Sequence, residues 1–303
     1  MKKIFITGGN GFLGKFLVKE LKKNYQIFAP DSKKCNLLNF RDLEKYNKKF
    51  DYIFHLAAWT QAGDFCLKYP GDQWIINQQI NTNILKWWKE HNPKAKLIFI
   101  GTSCSYPENK KLIEKNYSKD EPIKSLYTYA MTKRMLLQGA KALQLQYKMK
   151  WLCLVPSTLY GPYYHKDKRQ MHFIFDLINK ILRGKYLRKR VTLWGNGFQK
   201  REIIHVKDFV KFTKKIFIKA NNEIINIGSG KDFTIRDFAK KISQIIEYDQ
   251  KKITYDKSKY VGSKSKKLEI KKISKIFPNY KKSLINLDQG LLETIQWFKK
   301  EFF

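Results

Sequence analysis

Short apolar runs alternate with amphipathic stretches along the first half of the chain. Five runs have the length and composition of buried strands, at 3–7, 26–29, 51–56, 96–100 and 151–155. Apolar residues recur at helical spacing at 12–23, 73–91 and 128–146. Strands separated by helices are typical of a parallel sheet covered on both faces. The pattern therefore predicts an α/β fold with a doubly wound parallel sheet in residues 1–160.

The alternation becomes irregular after Pro156. The predicted elements that follow are a helix at 171–183, short strands at 191–194, 202–205 and 224–227, and amphipathic helices at 235–246 and 287–300. We expect residues 161–202 and 229–303 to form a smaller C-terminal α/β lobe. This lobe would bind the substrate and close over the C-terminal edge of the sheet, with residues 203–228 returning to the main domain.

Basic residues outnumber acidic ones so strongly that the formal net charge is +35. A nucleic-acid interface would concentrate these charges on one face or element. The lysines are instead spread along the whole chain, together with many Asn, Ile, Tyr and Phe residues. This distribution favours a lysine-rich genome composition as its cause, and we expect no nucleic-acid partner.

Membrane insertion and metal binding are also not expected. No apolar run reaches the roughly 18 residues that cross a bilayer, and the chain opens directly on a strand, without the pattern of a signal peptide. The cysteines form no CxxC pair, which argues against a zinc site or a disulfide framework; they are Cys35, Cys66, Cys104 and Cys153. A cytoplasmic location fits this composition.

Three glycines follow the first strand at a spacing of three residues. Gly8 permits a tight turn, Gly11 lets the backbone approach a pyrophosphate, and Gly14 allows close packing of helix and strand. Their position between a strand and a helix matches a Rossmann-type dinucleotide loop, whose helix N-terminus faces the anion. We therefore expect cofactor contacts from this loop, at Gly8, Gly11, Phe12, Leu13 and Gly14.

The residues after the second strand bear on the choice of dinucleotide. Asp31 lies where an acidic residue would bind the ribose hydroxyls of NAD. Ser32 and Lys33 can instead hold a 2′-phosphate. We favour NADP(H), and NAD(H) remains open.

Tyr129 and Lys133 lie four residues apart on a predicted helix, which places both side chains on one face. The ammonium is expected to lower the pKa of the phenol, so that Tyr129 can exchange a proton near neutral pH. Thr102 and Ser103 follow the fourth strand, at the edge where open α/β sheets bind ligands. A hydroxyl there can hydrogen-bond the reacting oxygen, and Thr102 is favoured.

These motifs, in this order, resemble those of extended short-chain dehydrogenase/reductases of the nucleotide-sugar type. They are TGGNGFLG (7–14), HLAA (55–58), GTSCSYP (101–107), YAMTK (129–133), PSTLYGP (156–162), WGNGFQKREIIHVKDF (194–209) and NIGSG (226–230). The resemblance implies a catalytic triad at Thr102, Tyr129 and Lys133. It also implies further cofactor contacts, at Leu56, Ala57, Ala58, Asn77, Tyr129, Lys133, Pro156, Thr158 and Leu159.

Within this family the chain most resembles the GDP-L-fucose synthases, which are 3,5-epimerase/4-reductases. The pointers are the Ser-Cys-x-Tyr-Pro run at 103–107, His172 and the segment 256–270. The resemblance implies that Cys104 and His172 are the acid/base pair for epimerisation. The alternatives are a small packed thiol and a histidine on a helix face. It also implies substrate contacts, at Ser103, Cys104, His172, Trp194, Arg201 and Lys264, whereas His205 is expected to pack.

Some segments depart from the pattern of these synthases. They are 59–63 after HLAA, Ser157 with Thr158, and 259–267. These segments would line the sugar and base pockets, so another 4-keto deoxysugar or a heptose also fits. The helix at 73–91 carries more apolar residues than packing on a sheet needs, and the corresponding helix in the family forms a dimer interface. We therefore expect a homodimer, the alternative being a deeply buried core helix.

The leading functional prediction is an NADPH-dependent enzyme that acts on a nucleotide-diphosphate sugar. It would reduce the C4 ketone of an NDP-4-keto-deoxysugar, GDP-linked by preference, with or without epimerisation at C3 and C5. An NAD-dependent NDP-sugar 4-epimerase is the second possibility. A non-catalytic dinucleotide-binding protein is a remote third, since fold alone does not determine function. A 4,6-dehydratase is disfavoured, because Ser103 and Cys104 stand where Asp-Glu would follow Thr102.

Overall fold

Six parallel strands form the central sheet of the computed structural model, which describes residues 1–167, 169–259 and 261–303. From one edge to the other they are β2 (Gln26–Phe28), β1 (Lys3–Thr7), β3 (Tyr52–His55), β4 (Lys96–Ile100), β5 (Trp151–Pro156) and β9 (Glu223–Ile227). Every neighbouring pair is parallel. The carboxyl ends of the strands therefore meet at one edge, where Gly8, Leu56, Thr102 and Ser157 follow β1, β3, β4 and β5.

Helices flank this sheet. They are α1 (Phe12–Leu21), α2 (Phe40–Glu44), α3 (Phe65–Lys68), α4 (Pro70–His91), α5 (Tyr127–Tyr147) and α7 (Val206–Ile216). Helix α4 packs along α5, and α1 packs along α7. The core between helices and sheet contains large side chains such as Phe5, Phe54 and Trp87, all fully buried.

The smaller lobe is built around strand β8 (Lys200–His205). Its partners are β10 (Asp232–Thr234), which is antiparallel, and β12 (Ser265–Lys266) and β6 (Thr158–Tyr160), which are parallel. A separate parallel pair joins β7 (Val191–Trp194) and β11 (Ile253–Asp256). The remaining helices are α6 (Phe173–Tyr186), α8 (Ile235–Ile246), α9 (Lys271–Ile276) and α10 (Leu287–Phe302).

The positions at which the polypeptide passes between the two units differ slightly from the predicted ones. Residues 203–205 lie in β8 of the smaller lobe, and the chain re-enters the main domain with α7 and β9. Residues 158–160, placed in the first domain by sequence, form β6 and pair with β8. These short pairings depend on a tertiary partner, so local sequence pattern does not reveal them.

Phe12 connects the two units. It is the first residue of α1, yet its ring packs edge-on against Tyr164 and Phe175 of the smaller lobe. Phe175 belongs to the lobe's own core, with residues such as Phe238 and Phe298. The glycine loop therefore lies at the junction of the two cores.

No helix within residues 1–167, 169–259 and 261–303 has both the length and the apolar character needed to cross a membrane. Across the same residues, no group of three or more His, Cys, Asp or Glu side chains could hold a metal ion.

Candidate functional site

The glycine loop has the geometry that close contact with a pyrophosphate requires. Gly8 has a φ of +70°, a conformation that side chains other than glycine rarely adopt. A Cβ at Gly14 would lie 2.1 Å from the carbonyl oxygen of Gly8, so only glycine fits there. Helix α1 starts at Phe12, and no side chain among the described residues caps its N-terminus. Its first backbone N–H groups are therefore available to an anionic ligand.

Asp31 is engaged in its own turn. Its carboxylate accepts hydrogen bonds from the backbone N–H groups of Lys33 and Lys34, at 3.1 and 2.9 Å. Ser32 and Lys33 are exposed on the outside of this turn. The arrangement leaves a hydroxyl and an ammonium facing the solvent at the position where a 2′-phosphate was predicted.

The residues after β3 lie against the glycine loop. A Cβ on Gly8 would come within 2.9 Å of the backbone nitrogen of Ala57, so Leu56 and Ala57 border the loop closely. The side-chain amide of Asn77, predicted to contact the cofactor, is bonded to the protein backbone. Its amide accepts from the backbone N–H of Trp59 and donates to the carbonyl oxygen of Trp59, both at 2.9 Å. Asn77 therefore shapes the loop that follows HLAA.

The remaining predicted cofactor residues lie at the same sheet edge. Ala58 follows Ala57 in the loop after β3, Pro156 ends β5, and Thr158 and Leu159 lie in β6. All four are half-buried. They are placed where the open end of the sheet meets the smaller lobe.

Tyr129 and Lys133 share one face of α5, as predicted from their spacing. The expected direction of the phenol's pKa is wrong for this structure. Burial raises the pKa of Tyr129, and the side-chain hydrogen bond with Thr102 opposes this only in part. Burial also lowers the pKa of Lys133 to about 8. Desolvation of both groups dominates here, because the charged forms of both lose contact with water.

Thr102 is held beside Tyr129 by the turn that carries it. Its backbone N–H donates to the hydroxyl of Tyr117 at 3.2 Å, and its side-chain oxygen accepts from the backbone N–H of Cys104. The turn Ser103–Ser105 is tied to α5 by Ser105, whose hydroxyl donates to the carbonyl oxygen of Ala130 at 3.3 Å. These bonds fix Thr102 relative to the tyrosine.

Lys266 is a site residue that the sequence did not reveal. Its ammonium donates to Cys104 Sγ at 3.2 Å. Lys264, the lysine predicted from the resemblance, is exposed, and its backbone oxygen accepts from Lys200. Residues 259–267 contain several lysines, so the sequence alone does not show which of them lies at Cys104. The pairing of β12 with β8 places Lys266 there.

His172 immediately precedes α6, and its backbone N–H donates to the hydroxyl of Tyr164 at 3.2 Å. Its surroundings lower the pKa of its imidazole, through loss of solvent and through the nearby charges of His165 and Lys266. Lys266 therefore lies within electrostatic reach of His172 while it contacts Cys104. The Lys266 ammonium thus lies near both residues predicted for epimerisation, Cys104 and His172.

The loop after β3 also contacts the chain close to His172. The side-chain amide of Gln170 donates to Asp64 Oδ1 at 2.6 Å, and the backbone N–H of Gln170 donates to Gln61 at 3.3 Å. Gly63, with a φ of +67°, lies directly under Gln170. Residues of the departing segment 59–63 thus contact the chain two residues before His172.

Of the other residues predicted to contact the substrate, Arg201 is bonded to the protein backbone and Trp194 is exposed. Arg201 donates to the carbonyl oxygens of Ser263 and Val261, at 2.8 and 2.6 Å, and so supports the strand that leads to Lys266. Trp194 is 41% exposed, and the Lys180 ammonium lies 5.2 Å from the centre of its ring. The segment 259–267 includes Tyr260, which lies outside the described residues.

His205 packs, as expected. Its ring meets Tyr160 edge-on at 5.1 Å, and its Nδ1 accepts from the backbone N–H of Lys207. Burial lowers the pKa of His205 to about 4.

Residues 4–228 match the model of a family described as the NAD dependent epimerase/dehydratase family. The chain belongs to this family. Among its relatives, the GDP-L-colitose synthase of Yersinia pseudotuberculosis is 30% identical, over 99% of this chain and 98% of that protein. The GDP-L-fucose synthase of Escherichia coli strain K12 is 25% identical, over 98% of this chain and 96% of that protein.

A solved structure shows the same fold. It is a GDP-mannoheptose C4 reductase from Campylobacter jejuni with NADP bound, and the TM-score is 0.84 at 22% identity. The similarity covers 98% of each chain. Membership of the epimerase/dehydratase family and the Rossmann-type sheet, both predicted from the motifs, are thus confirmed.

Proposed function

We propose that this protein is an NADPH-dependent enzyme that reduces the C4 ketone of a GDP-linked 4-keto-deoxysugar and exchanges protons next to that ketone. The observation that carries the proposal is the contact of Lys266 with Cys104, whose backbone N–H donates to the side-chain oxygen of Thr102. The names of the relatives support the class of substrate, since both are synthases of GDP-linked sugars. A thiol and an imidazole next to a bound ketone are suited to proton exchange at the neighbouring carbons.

The reduction uses the residues around the phenol. Bound NADPH supplies a hydride to C4. Tyr129 gives a proton to the oxygen of the former ketone, and Thr102 hydrogen-bonds the same oxygen. The Lys133 ammonium orients the nicotinamide ribose and stabilises the phenolate that remains on Tyr129. The raised pKa of Tyr129 keeps its proton in place until substrate and cofactor complete the site.

Epimerisation uses Cys104, in the turn after β4, and His172, immediately before α6 of the smaller lobe. Protons on C3 and C5 are acidified by the C4 ketone, and the enolate that forms can be stabilised by Thr102 and Tyr129. A thiolate at Cys104 would be held by the Lys266 ammonium through a charge-assisted hydrogen bond. His172 has a lowered pKa, so its imidazole is neutral near pH 7 and can accept a proton.

The decisive experiment separates proton exchange from reduction. The protein is incubated in deuterated water with GDP-4-keto-6-deoxymannose, without NADPH, and deuterium at C3 and C5 is measured by mass spectrometry. Wild type should incorporate deuterium, while Cys104→Ser and His172→Gln should not, yet both should still reduce an already epimerised ketone. Reduction by wild type without deuterium incorporation would make the protein a reductase only.

The nucleotide end of the substrate is assigned to the outer part of the lobe. The exposed face of Trp194 can stack on a base, and Lys180 beside it can pair with a phosphate. Arg201 and Lys264 are proposed to contact the diphosphate. Trp194→Ala should raise KM for the GDP-sugar without changing the affinity for NADPH.

The cofactor is assigned as NADP(H). Support comes from the exposed Ser32 and Lys33 and from the engagement of Asp31 in its own turn. Mass spectrometry of dinucleotide released from the purified protein tests this assignment. Exchangeable NADP(H) fits the reductase, whereas tightly retained NAD would favour the alternative 4-epimerase.

A homodimer through α4 and α5 is also proposed. The second half of α4 is core, with Ile84, Trp87 and Trp88 buried, but Trp74 and Ile75 near its start are exposed. Together with α5 they border a groove of about 460 Å³, lined by Pro70, Gly71, Trp74, Tyr127, Thr128 and Met131. A second copy related by C2 symmetry would cover this apolar face. A monomeric mass by light scattering at micromolar concentration would contradict the proposal.

We place the protein in the cytoplasm. All four cysteines are free and buried, which suits a reducing compartment. Fractionation of the source cells tests this location.

A further inference from the structure

A chain of buried hydrogen bonds links the first strand to the helix of the catalytic tyrosine. Its members are Thr7, His55 and Asn81, which come from β1, β3 and α4 and are each at most 7% exposed. Thr7 Oγ1 lies 2.8 Å from His55 Nδ1, and His55 Nε2 lies 3.2 Å from Asn81 Oδ1. Asn81 Nδ2 donates to the carbonyl oxygen of Thr132 in α5 at 3.3 Å.

The carbonyl group of Thr132, at the end of this chain of hydrogen bonds, determines the direction of every bond in it. A carbonyl oxygen accepts only, so the Asn81 nitrogen must face Thr132 and its oxygen must face His55. His55 Nε2 therefore carries the proton, and Nδ1 is the acceptor for the Thr7 hydroxyl. Burial and the charge of Lys133 lower the pKa of His55 to about 4, so the imidazole is neutral at physiological pH.

Both ends of this chain lie at cofactor-binding elements. Thr7 immediately precedes Gly8, and its hydroxyl oxygen also accepts from the backbone N–H of Ala57 at 3.3 Å. Thr132 immediately precedes Lys133 and lies one turn after Tyr129. The hydrogen bonds thus cross from the turn that meets the pyrophosphate to the helix that meets the nicotinamide ribose.

We propose that the Thr7–His55–Asn81 chain positions the dinucleotide loop relative to the helix that bears Tyr129 and Lys133. Apolar side chains of similar size would fill the same space without the cost of desolvating polar groups. A fully satisfied directional network instead specifies a single arrangement of the elements that it joins. The inference rests only on the dinucleotide-binding part of the proposed function, not on the identity of the sugar.

The test is the affinity for NADPH, measured by fluorescence titration of the purified full chain without any sugar. Thr7→Val keeps the shape and removes the hydroxyl, while Thr7→Ser keeps the hydroxyl. Loss of one buried hydrogen bond corresponds to a change of about ten-fold in a binding constant. We expect Thr7→Val and Asn81→Leu each to weaken NADPH binding by about this factor, and Thr7→Ser to bind as wild type does.

The double variant Thr7→Val/Asn81→Leu adds a second criterion. Both changes break the same series of hydrogen bonds. The double variant should therefore bind NADPH only slightly more weakly than either single variant. Unchanged affinity in Thr7→Val and Asn81→Leu, accompanied by a lower melting temperature, would overturn the proposal and make the chain a stabilising feature only.

Wild-type protein provides a measurement that does not depend on how the variants fold. Nitrogen NMR of histidine-labelled protein reports the tautomer of each ring, and His55→Gln identifies the signal. Protonation of His55 at Nδ1 instead of Nε2 would overturn the proposed direction. Failure of wild type to bind either NADPH or NADH would overturn the inference as well. Failure to reduce any GDP-linked ketone would affect only the sugar assignment.

Discussion

The hydroxyl of Tyr106 donates a hydrogen bond of 2.6 Å to Asn226 Oδ1, and this bond joins the turn after β4 to strand β9. Asn226 is fully buried, and its amide nitrogen donates to the carbonyl oxygens of Leu112 and Glu269. One asparagine therefore ties the turn that carries Thr102 to the segments on either side of the last strand of the sheet.

We expect Tyr106→Phe to lower the free energy of unfolding by about 1–3 kcal/mol, because the buried oxygen of Asn226 loses its donor. Urea denaturation measures the change. Tyr163→Phe is the matched control, because Tyr163 is 57% exposed. An equal effect of both substitutions would show that the bond to Asn226 has no special importance.

Tyr129→Phe should lower the turnover of the ketone by about two to four orders of magnitude, the usual contribution of a positioned acid. NADPH should still bind. Tyr127→Phe, two residues earlier on the exposed surface of α5, should keep wild-type turnover. Steady-state kinetics with a verified substrate compares the two, and near-normal turnover in Tyr129→Phe would falsify the assignment.

Lys266→Met should slow deuterium incorporation at C3 or C5 by about ten- to a hundred-fold, because a thiolate at Cys104 would lose its charged donor. Lys275→Met is the control, since Lys275 lies exposed in the last turn of α9 and belongs to no part of the candidate site. If both variants exchange deuterium at the wild-type rate, the ammonium beside Cys104 has no part in epimerisation.

Glu202 should make stability depend on pH. Burial raises the pKa of this carboxyl to about 7, although backbone N–H groups of Leu268 and Gly230 donate to it. Between the unfolded pKa, about 4.3, and 7, the folded state binds more protons than the unfolded state. The free energy of unfolding should therefore fall as the pH rises through this window, by an amount on the order of 3 kcal/mol.

Denaturation at several pH values between 4 and 8 measures this slope. Glu202→Gln carries no ionisable group and should show a flatter dependence, whereas Glu90→Gln, on the exposed side of α4, should retain the wild-type slope. A slope that is unchanged by Glu202→Gln would assign the pH dependence to other groups.

The sequence predicted the strands and helices of the first domain well, because their apolar periodicity is long and regular. Strand β1 and strand β4 have the predicted bounds, and α4 and α5 differ by only a few residues. Helix α7 was not predicted, although Val206, Phe209, Val210 and Ile216 have helical spacing and are buried. Strands β6, β10 and β12 have two or three residues each, and their existence depends on pairing with β8.

The candidate site was predictable where one residue type at one spacing defines the chemistry, as for Tyr129, Lys133 and the glycines. It was not predictable where folding selects among similar residues. Lys266 and Lys264 differ only in their placement. The direction of the pKa of Tyr129 depends on burial, which the helix spacing does not contain.

Phe12 belongs to the main domain by its backbone and to the core of the smaller lobe by its ring. Its backbone begins the helix whose N–H groups are proposed to face the pyrophosphate, and its ring packs edge-on against Tyr164 and Phe175 in the lobe that is proposed to hold the sugar. A change in the position of that lobe would therefore act directly on the start of α1, through the contacts of one aromatic ring.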